Sequence, residues 1–118
     1  MKTEQSLYEA LANTYDHWLS TAVKSMENAD SNLQWTDQPE AFQKLAEALR
    51  ETENIPSFEQ VLSEIIRGVL HSTLVTLDGG TTLAEKTNLT ITDDNGYELH
   101  KYLHEEFVSF LLETGRLK

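Results

Sequence analysis

Apolar residues recurring every three or four positions constrain this chain most, because such a stripe is buried efficiently only when its segment is an α-helix. From about Glu4 to Met26, the residues Leu7, Leu11, Trp18, Ala22 and Met26 stand four or seven apart. Tyr15 and Leu19 widen the stripe, while Glu4, Glu9, Asp16 and Lys24 lie off it. This pattern predicts a first helix, with Trp18 packed in the core. The polar stretch Glu27 to Trp35 then reads as a connection.

Asp37-Gln38-Pro39-Glu40 predicts the start of a second helix, with Asp37 as its cap and Pro39 in its first turn. Phe42, Leu45, Ala46 and Leu49 form its apolar face, and the helix fades near Glu53 before Ile55-Pro56. Ser57 and Gln60 make a capping box that launches a third helix from Phe58. Val61, Leu62, Ile65, Ile66, Val69 and Leu70 cover so wide an arc of it that this helix is expected to be the buried centre of the fold. Leu74 and Leu77 extend the pattern, and Gly79-Gly80 ends it. The Thr- and Val-rich run 69–77 also reads as a strand, which would make the fold α+β.

Beyond the glycines, Leu89 and Ile91 alternate with Thr90 and Thr92, and Asn95-Gly96 is the residue pair of a type I′ turn. A small β-hairpin is therefore expected before a last helix spanning about Glu98 to Glu113. Leu99, Leu103, Phe107, Phe110 and Leu111 form that helix's buried face, and Thr114-Gly115 stops it. The expected architecture is mainly α: one globular domain over residues 1–118, with four helices and a central third one.

Charge decides the class of partner. Twenty Asp and Glu face nine Lys and Arg, for a formal net charge of -11 on 118 residues. The excess is spread along the chain without a run of five or six like charges, so it belongs to folded surfaces. Such a surface repels nucleic acid and anionic membranes and attracts basic proteins. With no cysteine, disulfides and thiolate zinc sites are excluded. The densest apolar stretch, Ile65 to Leu77, is too short and too polar to span a bilayer. No signal-like apolar stretch follows the first residues, so a cytoplasmic protein is expected. Asn88-Leu89-Thr90 matches a glycosylation sequon and reads as chance in that setting.

Few motifs suggest chemistry. His100 and His104 stand four apart on the predicted last helix, the spacing of two ligands to one metal ion. Lys101 occupies the position where a zinc-protease motif needs Glu, so two solvent-facing imidazoles are the plainer reading. Asp93-Asp94-Asn95-Gly96 resembles part of a calcium loop, but Ile91 and Tyr102 stand where its first and last ligands belong. Asp78-Gly79-Gly80-Thr81-Thr82 lacks the lysine and spacing of a phosphate loop and reads as a helix end. His17, His71, Ser63 and Ser72 stand in no nucleophile signature, and no cofactor is implied. Trp35 reads as a hydrophobic staple onto Phe42 or as an exposed anchor for a partner.

These features together describe a small acidic interaction protein that binds a basic partner, in the manner of an inhibitor or an immunity-type neutraliser. Its candidate contact residues are Trp35, with Glu47, Glu51 and Glu53 at the end of the second helix and Glu105 and Glu106 on the last. Three rival readings remain. One is a DNA mimic whose carboxylates imitate phosphates. Another is an enzyme with an unfamiliar site around His71, His100 or His104. The last is a structural subunit that pairs with itself as a homodimer.

Overall fold

The computed structural model describes residues 3–28 and 32–117. Four α-helices are formed, α1 (Thr3–Glu27), α2 (Pro39–Glu51), α3 (Ile55–Leu77) and α4 (Leu103–Glu113), with a 3-10 turn at Thr82–Glu85. The mainly α class holds, and residues 69–77 are helical, not a strand. The chain gathers into two compact units. One comprises the residues up to Thr14 and those from Arg67 onward, and the other comprises Tyr15–Ile66. None of the described helices is long and apolar enough to cross a membrane.

The expected β-hairpin does not form. Among the described residues there is only an isolated antiparallel bridge between Thr92 and Glu98. A type I′ turn needs positive φ at both central residues, yet here Gly96 (φ 82°) is left-handed and Asn95 is not. The Asp93 carboxylate explains this. Its Oδ1 accepts the backbone N–H groups of Asn95 (2.9 Å) and Tyr97 (3.0 Å), closing an Asx turn that competes with a strand ladder.

α1, not α3, carries most of the core. Tyr8, Ala12, Tyr15, Leu19, Ala22, Val23 and Met26 are seven of the thirteen buried apolar residues among those described. Their spacing of three and four keeps them on one arc, and Glu4 falls on the same arc. Trp18 stands one residue before Leu19, about 100° round the helix, and is 49% exposed rather than packed in the core. α3 turns Ser63 and Leu74 inward and leaves Val61, Ile65 and Val69 more than half exposed, so the expectation of a central third helix is overturned. A helix apolar on several sides still needs only one of them buried. α3's wide apolar arc therefore did not measure its burial.

In the first unit, Tyr8 and Ala12 of α1, Leu74 of α3, Leu99, and Leu103, Phe107 and Leu111 of α4 make one buried cluster. The Tyr8 ring packs against both Phe107 and Phe110, at 6.1 Å between centroids in each case. Leu99 belongs to this core without being helical, because α4 begins at Leu103 and not near Glu98. In the second unit, Tyr15 bonds through its hydroxyl to Ser63, and Arg50 donates to Met26 O at 3.1 Å, covering a free carbonyl in the last turn of α1. Trp35 sits edge-on to Phe42 at 5.0 Å and to Trp18 at 6.0 Å, which is the staple the sequence suggested.

Helix starts differ from expectation and helix ends agree. α2 begins one residue later than an Asp37 cap requires: Gln38 is its N-cap and makes no side-chain cap bond, while Pro39 fills N1 as expected. α3 starts at Ile55 with Pro56 in its first turn, where a missing N–H costs nothing, so the Ser57 box is not the start. α2, α3 and α4 all end in the same paired motif. For α3, Gly79 N donates to Thr76 O and Gly80 N to Val75 O. Gly79 is left-handed (φ 84°), a conformation that favours glycine, and a Cβ on Gly80 would meet Val75 Cγ1 at 2.7 Å, so a side chain there would force Val75 to shift. α2 makes the same turn with Glu53 in the left-handed position (φ 56°).

A side chain in that conformation is strained by about 1–2 kcal/mol, partly offset by the extra unfolded-state entropy of glycine. Glu53→Gly is therefore expected to raise stability by about 0.5–1 kcal/mol, read as a higher urea midpoint. A lower midpoint would show that the left-handed turn carries no strain.

Candidate functional site

Two buried carboxylates organise the first unit, and the histidines singled out in the sequence are their partners. α4 has no cap of its own, since its N-cap residue is Tyr102, in the left-handed region (φ 72°), with no side-chain cap bond. Asp78, just past the end of α3, does the capping. Its Oδ2 accepts His104 N–H at 2.9 Å and lies 2.5 Å from His104 Nδ1, which orients the imidazole. Burial pushes the Asp78 carboxyl up, but the bonds from His104 outweigh it and hold the group below its ordinary 3.8. His71 stacks edge-on against His104 at 5.3 Å. Lys101 reaches back to donate to Leu77 O (3.3 Å) and Leu89 O, placing a cation at the C-terminus of α3.

Glu4, in the first turn of α1, plays the matching part. Its side chain is 2% exposed, and its Oε2 accepts Tyr97 Oη (2.7 Å) and His100 N (3.2 Å) and lies 3.0 Å from His100 Nδ1. The other ring nitrogen, His100 Nε2, is 2.6 Å from Glu106 Oε2, and Tyr8 Oη donates to the same oxygen at 2.9 Å. The ring thus lies within hydrogen-bond reach of both carboxylates, one at each nitrogen. Burial pushes Glu4 up, yet its bonds from Tyr97 and His100 hold it below the ordinary 4.5. Burial first, and then the Glu106 carboxylate, push the Tyr8 hydroxyl well up, so it remains a donor.

His100 and His104 thus do not share a helix face. His100 precedes α4, and each ring is committed to a different buried acid. The two acids on His100 lie on opposite ring nitrogens, so they do not converge on one point. No group of three or more His, Asp or Glu suited to a metal ion occurs among the described residues.

Around this network lies an open cleft of about 260 Å³, lined by Glu4, Tyr8, His100, Glu106, Phe110 and Glu113 among others. That volume is below the ~300–1,000 Å³ usual for small-molecule sites and suits a single side chain. Of the expected contact residues, Glu106 lines this cleft, and Glu105 stands beside it in sequence, 69% exposed and 3.9 Å from His104 Nε2. Glu47, Glu51 and Glu53 are exposed and make no ion pair with another described residue. Glu47 also edges a smaller hollow of about 150 Å³ beside Phe42 and Arg50. Trp35 is 40% exposed on its stack. Glu4, Tyr8 and Asp78 were missed by sequence reasoning. The one available signal was that Glu4 and Tyr8 continue the arc of Ala12 and Tyr15.

Two outcomes follow from the buried acids. Glu4 and Asp78 have lowered pKa values in the fold, so their stabilisation is complete above their ordinary values and is lost as pH falls below about 4.5. The difference in urea midpoint between wild type and Glu4→Gln should therefore be largest at pH 6 and shrink towards pH 3. A difference constant across that range would contradict the ionised, bonded Glu4. Asp78→Ala removes the side-chain cap that α4 receives from Asp78 and should cost about 2 kcal/mol in urea unfolding, against under about 0.5 kcal/mol for the exposed control Asp94→Ala.

Compared with protein-family models, with curated proteins and with solved structures, the chain matches none of them.

Proposed function

We propose that this is an acidic interaction protein that binds a basic protein partner and neutralises it by covering its basic surface. The observation that carries the reading is acidic charge left uncompensated. The chain has a net charge of -11, and Glu47, Glu51 and Glu53 project from the end of α2 with no ion pair to any described residue. Charges within a molecule that pair with its own bases are spent locally. Unpaired ones create a field that reaches about 8 Å at physiological salt and accelerates encounter with a basic surface. Trp35, 40% exposed in the segment that precedes α2, supplies an aromatic anchor of the kind that dominates interfaces.

The test compares immobilised wild type with Glu47→Lys/Glu51→Lys in nuclease-treated lysate of the native organism. A stoichiometric basic protein should elute from wild type at moderate salt and be missing from the variant. With that protein purified, its association rate should fall about tenfold as salt rises from low to physiological strength and beyond. Recovery of the bait alone, or equal capture by both baits, overturns the reading.

A further inference from the structure

The cleft on the first unit holds an acid with a bond to spare. Glu4 is 2% exposed and its Oε2 takes every donor described above, while its Oε1 is buried with no hydrogen-bond partner among the described residues. An ionised oxygen shut from water without a donor is costly, and a donor brought by a ligand would relieve that cost. Glu106 and Glu113 line the same cleft, and Tyr8 and Phe110, with ring centroids 6.1 Å apart, supply its aromatic wall. The group that faces these acids is the His100 ring, seated between Glu4 and Glu106. That ring is 44% exposed, so it can swing out to solvent without opening the core.

We propose that this cleft receives one alkylammonium or guanidinium group, the lysine or arginine side chain of a basic partner, which replaces the His100 ring between Glu4 and Glu106. The identity of the partner as a protein rests on the function proposed above; the cation site itself does not. The head group donates to Glu106 and to the unused Glu4 oxygen, with more donors than an imidazole offers. The aliphatic stem lies along Phe110 and Tyr8, where apolar contact and cation–π attraction both favour it. Glu113 stands at the same opening and adds attraction without being needed for the fold, since it is exposed in the last turn of α4. His100 is on this account an internal stand-in that keeps the acids paired until the partner arrives.

The experiment is a titration of the 15N-labelled protein with N-acetyl-lysine methylamide, N-acetyl-arginine methylamide and, as an apolar control, N-acetyl-norleucine methylamide. The cationic amides should shift the resonances of Glu4, Tyr8, His100 and Phe110 saturably, and the norleucine amide should not. Glu113→Gln should weaken the binding about fivefold, and His100→Ala, which removes the competing ring, should strengthen it. No cleft shifts in wild type, shifts equal to those of norleucine, or unchanged binding in Glu113→Gln overturns the proposal. Should His100→Ala fail to fold, the Glu113→Gln comparison decides alone. A lysine-containing tetrapeptide binding more tightly than n-butylammonium assigns the site to a protein side chain; the reverse order assigns it to free amines and overturns the partner half of the proposal. Amide binding without any captured basic protein would sink the proposed function and leave the cation site standing. Capture without amide binding would do the opposite.

Discussion

The N-terminus of α4 has four backbone N–H groups to satisfy and no neighbour in sequence equipped to do it, because Tyr102 offers neither a cap oxygen nor an extended backbone. The Asp78 carboxylate, arriving from the end of α3, meets that need. Directly after it, Gly79 and Gly80 end α3 by bonding back to Thr76 O and Val75 O. Lys101 fastens the same junction from the other side by covering carbonyls of Leu77 and Leu89. Each end thus supplies what the other lacks: a carboxylate at a helix N-terminus and an ammonium at a helix C-terminus, both orientations the helix dipole favours. With α4 placed, Leu103, Phe107 and Leu111 are delivered to Tyr8, Ala12 and Leu74.

Glu4 fixes the other end of the segment leading into α4. Its bonds to Tyr97 and to the backbone and ring of His100 hold residues 97–100 against the first turn of α1, so Leu99 reaches the core from a segment with no regular structure. A buried acid is a poor source of net stability, since desolvation offsets much of what its bonds contribute. Its value is positional: a loop with one bridge pair and an Asx turn has few other ways of choosing a single conformation. The same placement sets two carboxylates on one imidazole, with a third, Glu113, lining the same cleft. A positional device and a candidate cation site are therefore built from the same atoms.

Acidity and periodicity were legible along the chain because both are additive properties of residues. The existence of four helices, the helical run through Val69 to Leu77, and the stops at Gly79-Gly80 and Gly115 all follow from local spacing and from backbone conformations that favour glycine. The start of α4 was not legible. Leu99, Leu103 and Phe107 keep helical spacing, and nothing local says that Leu99 meets the core from an irregular segment. The hairpin failed for a related reason: Asn95-Gly96 suits a type I′ turn, but Asp93 two residues earlier offers the backbone a better bond.

What the sequence by itself determined, then, is the helical class, the acidic surface and the places where helices stop, since these depend on single residues and their nearest neighbours. Tertiary structure decided which face of each helix is inside. Trp18 and the arc Val61, Ile65 and Val69 are as apolar as the residues that are buried, yet a helix can turn only one arc inward and the partners available choose which. It also decided the fate of Glu4, His100, Asp78 and His104. Their pairing spans more than ninety residues in one case and twenty-six in the other, and no spacing along the chain encodes a distance that exists only after α4 has docked.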